Sequence, residues 1–450
     1  MKPPIFQFVQ GDEFLSSNSG LAFVGSMLYS TLLRKRINKV VFSKHKGKKI
    51  ESSVLIYSMI GLLSLAKPDF DAIEKFREDD YFASSLGIIN VPSAPNLRQR
   101  LDLFAENYLE EISDIVREES AMMIKHNAHV ITPCIDGIVP LDIDVSPFDN
   151  SDTKKEGVSW TYKKFDGYSP IMAYLGCEGY LVNIELREGS CHCQNETETF
   201  LDESIQYAKQ ITKARILVRL DSGNDDIDNI HISRKNKSDF LIKRNLRNEQ
   251  PAEWFKYAKK HGEKVDAEKL RPGMSAWIGD CYVERDGLNL RVVYEIIERK
   301  TNRKGEKYMM PLIEVNTWWT SLEHSPEKVI ELYHKHATSE QFHSELKSDM
   351  DLERLPSGKF ATNSLILILA LMSYNILRLC GQIFLHASAN SETQNTSKKI
   401  KRKRIRSVLQ ELMYLACKMV KHARKFILSF SRHLKEFPIV SETYEELVFK

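Results

Sequence analysis

Three acidic residues stand where an acid needs a reason. Asp144 ends the apolar run Leu141-Asp142-Ile143-Asp144-Val145, and Asp221 ends Ile216-Leu217-Val218-Arg219-Leu220-Asp221 before the turn Ser222-Gly223-Asn224. Both runs read as buried strands, and a carboxylate at the end of a buried strand is costly to ionise unless it meets a cation or hydrogen-bond donors. The third acid, Glu340, falls inside a helical pattern that starts at Ser325, with Ser at the cap and Pro326 at the first helical position. Two strand-end carboxylates approached by a third from a helix make a hard-oxygen site suited to Mg²⁺, with Mn²⁺ able to substitute. Ions so held can activate a nucleophile and stabilise the leaving oxygen of a phosphodiester. Asp142 is a rival to Asp144, because strand alternation sends both to one face. Asp136, Asp149 and Asp166 read as loop residues.

On the helix, Tyr333, His336, Glu340 and Lys347 follow one another at intervals of three, four and seven residues. Seven residues make almost two turns, so Tyr333, Glu340 and Lys347 share a stripe, with His336 beside it. An aromatic, an imidazole, an acid and a lysine do not make a core-facing stripe.

The elements that must position these residues follow from periodicity. Residues 1–130 read as helical, with apolar spacing of three and four over 20–34, 53–65, 70–76 and 97–124. The break Val91-Pro92-Ser93-Ala94-Pro95 leads into a helix whose first turn carries Arg98 and Arg100, cations that oppose the helix dipole unless an anion lies near. From 131 the texture becomes short apolar runs, with strands expected at 129–135, 138–145, 170–175, 180–186 and 216–220 and a helix at 197–211. That alternation predicts an α/β fold with a mixed sheet flanked by helices. Catalytic-domain segments 131–245 and 309–390 are separated by 246–308. This stretch carries Arg271-Pro272-Gly273, Asp286-Gly287 and Lys304-Gly305 turns between alternating runs and reads as a β-rich insertion. Residues 365–377 are apolar but short of a membrane span and interrupted by Asn375 and Arg378, so they read as a core helix. A polar linker precedes a C-terminal region, 391–450, expected to be basic and helical.

At 450 residues the chain exceeds a single core, and 42% hydrophobic with 28% charged residues fits a globular protein. Seven scattered cysteines and no export-type N-terminal segment point to a reducing, cytoplasmic setting. Between Lys398 and Lys435 thirteen basic residues face the single acid Glu411, within a chain whose net charge is only +3. Such polarisation suits a polyanion, and Lys401, Arg402, Lys403 and Arg404 are its densest part. Cys191-His192-Cys193 lacks a second pair at zinc-finger spacing. No phosphate-binding glycine loop or nucleophilic Ser or Cys motif is present.

Tyr333-x2-His336-x3-Glu340-x6-Lys347 resembles the Tyr-x2-Arg-x3-Glu-x6-Lys helix signature of bacterial insertion-sequence transposases of the RNase H-like DDE type. Leu141–Asp144 resembles that family's first-aspartate strand, and Tyr168-Ser169-Pro170 the strand after it. Val218–Gly223 resembles the second-aspartate strand and turn, and Leu355-Pro356-Ser357 with Phe360-Ala361-Thr362-Asn363 the segment after the Glu helix. Val91–Arg100 is similar to its Pro-Ser-x-x-Thr-Leu-x-Arg segment, with Asn96 in the Thr place.

The resemblance implies an RNase H-like catalytic domain with Asp144, Asp221 and Glu340 as catalytic and metal-binding residues. It implies cut-and-paste transposition, with terminal inverted repeats and target DNA as partners, a homodimer on DNA, no membrane, and a bacterial, nucleoid-associated location. Tyr333, His336 and Lys347 would contact DNA near the scissile bond. Arg98, Arg100 and the 401–404 cluster would supply affinity. Trp277, Trp318 and Trp319 are candidates for stacking on a flipped base. His336 stands where the family has Arg, and a neutral imidazole is not a permanent bidentate cation. A DNA-binding relic and a hydrolytic nuclease of the same fold therefore remain as alternatives.

Overall fold

The computed structural model describes residues 6–41, 50–128, 131–302, 304–390, 402–422 and 425–448. Its centre is a mixed sheet whose main strands are β1 (Val139–Val145), β2 (Ile171–Leu175), β3 (Tyr180–Glu185), β4 (Ile216–Leu220), β5 (Asp239–Lys243), β6 (Met274–Arg285), β7 (Leu288–Thr301) and β8 (Lys307–Thr320). The spatial order is β3-β2-β1-β4-β5-β8-β7-β6, and the short strand Glu263–Lys264 closes the far edge. Strands β1, β4 and β5 are mutually parallel, whereas β2 and β3 run antiparallel to their neighbours.

The parallel crossover from β3 to β4 carries α2 (Thr197–Ile211), as strands of like direction require. On one face, Leu141, Ile143, Val218 and Leu220 pack into the main core, which contains α2, α1 (Ala94–Asn127) and α5 (Phe360–Asn390). On the other, Ile138, Leu217 and Leu241 pack with Trp318 and with Val329, Ile330 and Leu332 of α3 (Pro326–His334). The sheet is therefore covered on both faces, which is why its central strands read as unbroken apolar runs.

The 246–308 stretch adds strands to the main sheet and packs a small cluster of its own, Ala258, Trp277, Tyr294 and Ile296. Its long strands β6 and β7 pair with each other and, through β8, which meets β5 at Trp318↔Lys243, extend the same sheet. Their turns obey the sequence: Asp286 and Gly287 both take positive φ between β6 and β7, the conformation a tight hairpin with this twist demands.

Two expectations are corrected. Over 131–135 there is no strand, and positions 129–130 lie outside the described residues. Asp136 (φ 43°) and Gly137 (φ 74°) fold the chain back at once, leaving only an Ile135↔Ile138 bridge. The C-terminal region is not all helical. Strands Cys417–His422 and Lys425–Phe430 form a hairpin that also pairs with Leu15–Ser16 of the otherwise helical N-terminal region. The core helix α5 runs for 31 residues, long and apolar enough to cross a membrane by length and composition, but almost all of its most apolar stretch is buried inside the fold. Asn375, which broke the apolar pattern, clasps edge strand β3: its Oδ1 accepts from the Leu181 amide at 2.9 Å and its Nδ2 donates to the Leu181 carbonyl at 2.6 Å.

The segment expected as one long helix from Ser325 departs from α-helical pitch twice. After α3 come a 3₁₀ turn (Lys335–Thr338), α4 (Ser339–Ser344) and a π turn (Glu345–Asp349). The first change has a cause far along the chain. Arg219 of β4 donates to the Leu332 carbonyl at 2.7 Å, the group an α-helix would offer to the amide of residue 336. At the second, Glu345 is drawn inward between Arg378 of α5 and Arg402.

Candidate active site

Strand register brings the two aspartates together. Asp142 lies opposite Arg219 and Ile143 opposite Leu220 across the parallel pair β1/β4. One residue further, Asp144 and Asp221 leave the carboxyl ends of adjacent strands, which run about 4.8 Å apart. Alternation points both toward the α3 face, where a cleft of about 880 Å³ opens. Ligand sites in open α/β sheets lie at such strand ends. Asp144, Asp221, Tyr333, His336, Glu340 and Lys347 all line this cleft, together with Tyr162, Lys163 and His343.

The two rival aspartates of β1 have different surroundings. Asp142 is 2% exposed and receives Arg219 at both oxygens, Nε to Oδ1 and a terminal nitrogen to Oδ2, each at 2.6 Å. His336 Nδ1 lies 2.8 Å from the same Oδ1. Burial alone would push the Asp142 carboxyl up, but the Arg219 charge and His336 outweigh it and hold it below the ordinary value. Both Asp142 oxygens are thus engaged by protein donors.

Asp144 lies at the cleft wall. Its Oδ2 is 3.2 Å from His343 Nε2, whose Nδ1 is 3.3 Å from the Tyr174 hydroxyl, and its Oδ1 accepts from the Val145 amide at 2.8 Å. Burial raises this carboxyl and the His343 hydrogen bond more than reverses that. Asp221 receives the Gly223 amide at 3.0 Å, and burial followed by the negative charge of Asp144 pushes it up. A strand-end carboxylate whose proton affinity is raised by the neighbouring Asp144, with no guanidinium between them, marks a place that would suit a cation.

Glu340 projects, exposed, from α4 on the opposite wall. Among the described residues no three His, Cys, Asp or Glu side chains are grouped closely enough to hold a metal ion. The third carboxylate therefore lines the cleft without closing a ligand cluster on the aspartate pair. Lys347 donates to the Pro147 carbonyl, and burial, then the nearby Lys163, lowers it to about 8. Tyr333 packs between Trp318 and His336, at ring distances of 5.4 and 5.8 Å.

The outlying candidates are placed elsewhere. Arg98 lies over the Phe70 ring at 5.2 Å with Asp71 at 3.9 Å, the anion its position on the helix called for. Arg100 lies 3.4 Å from Ser52 Oγ. Lys401 falls outside the described residues. Arg402 pairs with Glu345 and Gln341, Lys403 with Glu411, and Arg404 with Asp349 at 2.7 and 3.0 Å. None of these lines the cleft. The described part of the basic run braces the turns that carry Glu340 and Lys347. Trp277, Trp318 and Trp319 are 8, 1 and 1% exposed, so all three are core residues.

Sequence reasoning missed His343 and the Asp142–Arg219 pair. The pair did leave a signal: Arg219 interrupts an apolar strand two residues before Asp221, as Asp142 does before Asp144.

A strand-end aspartate pair and a helix-borne acid thus face one cleft. The transposase DDE domain group 1 family model matches residues 6–448, and the chain belongs to that family. No curated protein matches it in sequence. Among solved structures it is similar to the cryo-EM structure of a piggyBac transposase synaptic complex with hairpin DNA, at 12% identity and a TM-score of 0.43, over 88% of this chain and 80% of that one.

Proposed function

We propose that the chain is a DNA transposase whose catalytic acids are Asp144, Asp221 and Glu340. On this reading the β3-β2-β1-β4-β5 portion of the sheet is an RNase H-like core, and the chain is a bacterial insertion-sequence enzyme of the Tyr-Arg-Glu-Lys group. The observation that carries the reading is the register that delivers Asp144 and Asp221 side by side to a cleft also lined by Glu340.

The donor set is all oxygen, and the uncompensated repulsion at Asp221 fits a divalent ion such as Mg²⁺. Held by Asp144 and Asp221 with Glu340, such ions supply nucleophile activation and stabilisation of the leaving oxygen. The chain's own residues do the rest. Arg219 and His336 fix Asp142 and with it the strand that aims Asp144. His343 orients one Asp144 oxygen. Lys347 and Lys163 offer positive charge to a phosphate entering between the walls, and Tyr333 shapes the floor.

The substrates are the terminal inverted repeats of the element and a target duplex, bound by a homodimer in the bacterial cytoplasm. His336 in place of Arg belongs to the Asp142 network, which gives the departure a structural account. The test is incubation of the protein with end-labelled DNA from the borders of its gene and Mg²⁺. Nicks leaving 3′-hydroxyls, followed by joined product, support a transposase. Nicks alone leave a nuclease, and binding alone a relic.

A further inference from the structure

Away from the acidic cleft, the N- and C-terminal regions enclose a second cavity, of about 990 Å³. One wall is the helix Leu21–Tyr29, which lies so close to the helix Asp80–Ser85 that a side chain at Gly25 would strike the Ser85 carbonyl. Another comes from the C-terminal hairpin and the terminal helix Phe437–Val448. Along the strand Lys425–Phe430, alternate residues Phe426, Leu428 and Phe430 all line the cavity. On the terminal helix Phe437, Val440, Tyr444 and Leu447 do the same at helical spacing. Two apolar faces thus look onto a space they do not fill, and Phe426, Phe437 and Tyr444 stay 49, 43 and 38% exposed.

The charge of the lining is one-sided. It contains Arg34 and Lys35 and no acid. Arg34 lies over the buried Tyr57 ring at 5.3 Å and donates to the Gly87 carbonyl at 2.5 Å. Its Nε is buried without a partner among the described residues. Glu119 of α1, which bonds the chain on either side of Arg34, is already occupied by Arg36 at 2.9 Å and the Leu32 amide at 2.8 Å. A buried guanidinium N–H left unpaired is costly, and a carboxylate is the group its planar donor edge fits. Ligand sites are typically cavities of this size, apolar but for a few placed polar groups.

We propose that this cavity binds a long-chain carboxylate, its head on Arg34 and its chain laid over the apolar faces of the hairpin and the terminal helix. None of the lining residues belongs to the acidic cleft, so the site is separate from the one assigned to DNA.

Titration calorimetry of the full chain tests it. Decanoate, kept below its micelle concentration, should bind saturably at one per chain and raise the melting temperature by mass action. Decyltrimethylammonium, with the same chain and the opposite charge, should bind about tenfold more weakly, the scale of one charge-assisted contact. Butyrate, with the head but little tail, should show no saturation over the same range. Arg34→Met keeps the stem without the charge and should lose the preference for decanoate. Ser441→Trp, which fills the cavity from the terminal helix, should abolish binding of both amphiphiles while melting like the parent. Equal affinity for the two amphiphiles, uptake of several decanoates per chain, or parental binding by Ser441→Trp overturns the proposal. So does a parent that ignores decanoate and sediments as a dimer broken by Ser441→Trp, which would make a second copy the occupant.

Discussion

Replacing Asp142 and Asp144 separately by Asn should give opposite phenotypes. Asp142 is 2% exposed and holds Arg219, itself buried, through two bonds of 2.6 Å. Asn offers one acceptor where the guanidinium and His336 present several donors, and it carries no charge. Its amide nitrogen would meet a guanidinium N–H, and the Arg219 charge would be left buried without its partner. Breaking such a pair on one side costs about 3–5 kcal/mol. The unfolding entropy of a 450-residue chain melting as a unit is roughly 0.95 kcal/mol per degree, so Asp142→Asn should lower the melting temperature by about 3–5 °C. Asp144→Asn removes a charge that repels Asp221 and gives up only the His343 contact and the Val145 amide bond. Its melting temperature should stay within about 1 °C of the parent, because the two terms oppose. Scanning calorimetry reads both, with cleavage of gene-border DNA measured on the same samples. If Asp142→Asn melts like the parent but no longer cleaves, the structural assignment of Asp142 is wrong and the catalytic role passes to it.

His336→Arg should destabilise the fold by about 1–3 kcal/mol through overpacking, rather than tighten DNA binding, and urea unfolding beside a filter-binding curve separates the two outcomes. Glu345→Gln strands Arg378, which is fully buried, and should cost about 3–5 kcal/mol while slowing cleavage through loss of the brace on the Glu340 segment; unchanged unfolding would refute the brace. Lys347, lowered to about 8 from 10.5, binds a proton less readily in the fold than in the unfolded chain. Stability should therefore rise with pH between about 8 and 10.5, while affinity for DNA falls as pH passes about 8 and the free amine loses its charge. Lys347→Arg should flatten the affinity profile, and identical profiles would remove Lys347 from the DNA contact.

Much of this arrangement was legible because it is local. Strand β4 ends at Leu220 and α2 spans Thr197–Ile211, both as their apolar periods dictate, and Asp286-Gly287 made its hairpin. The stripe of Tyr333, Glu340 and Lys347 reached one cleft wall. What was hidden depended on partners far along the chain. Nothing near Leu332 shows that Arg219 takes its carbonyl, so the break into a 3₁₀ turn was invisible. The basic residues from Arg402 looked free for a polyanion because their partners, Glu345 and Asp349, lie in a helical segment more than fifty residues earlier. That Asp142 meets Arg219 while Asp144 reaches the cleft needed the register of β1 against β4, which alternation alone leaves open.

The central claim is that Asp144, Asp221 and Glu340 act as one unit on a phosphodiester. The most direct measurement is cleavage of end-labelled gene-border DNA in Mg²⁺ by Asp144→Asn, Asp221→Asn and Glu340→Gln, with binding and melting temperature followed in parallel. The account requires each variant to bind DNA and melt like the parent while cleavage falls by at least a thousandfold, and the double variants to be no worse than the singles. Cleavage at the parental rate by Glu340→Gln, whose carboxylate stands apart from the aspartate pair in the cleft, would contradict it.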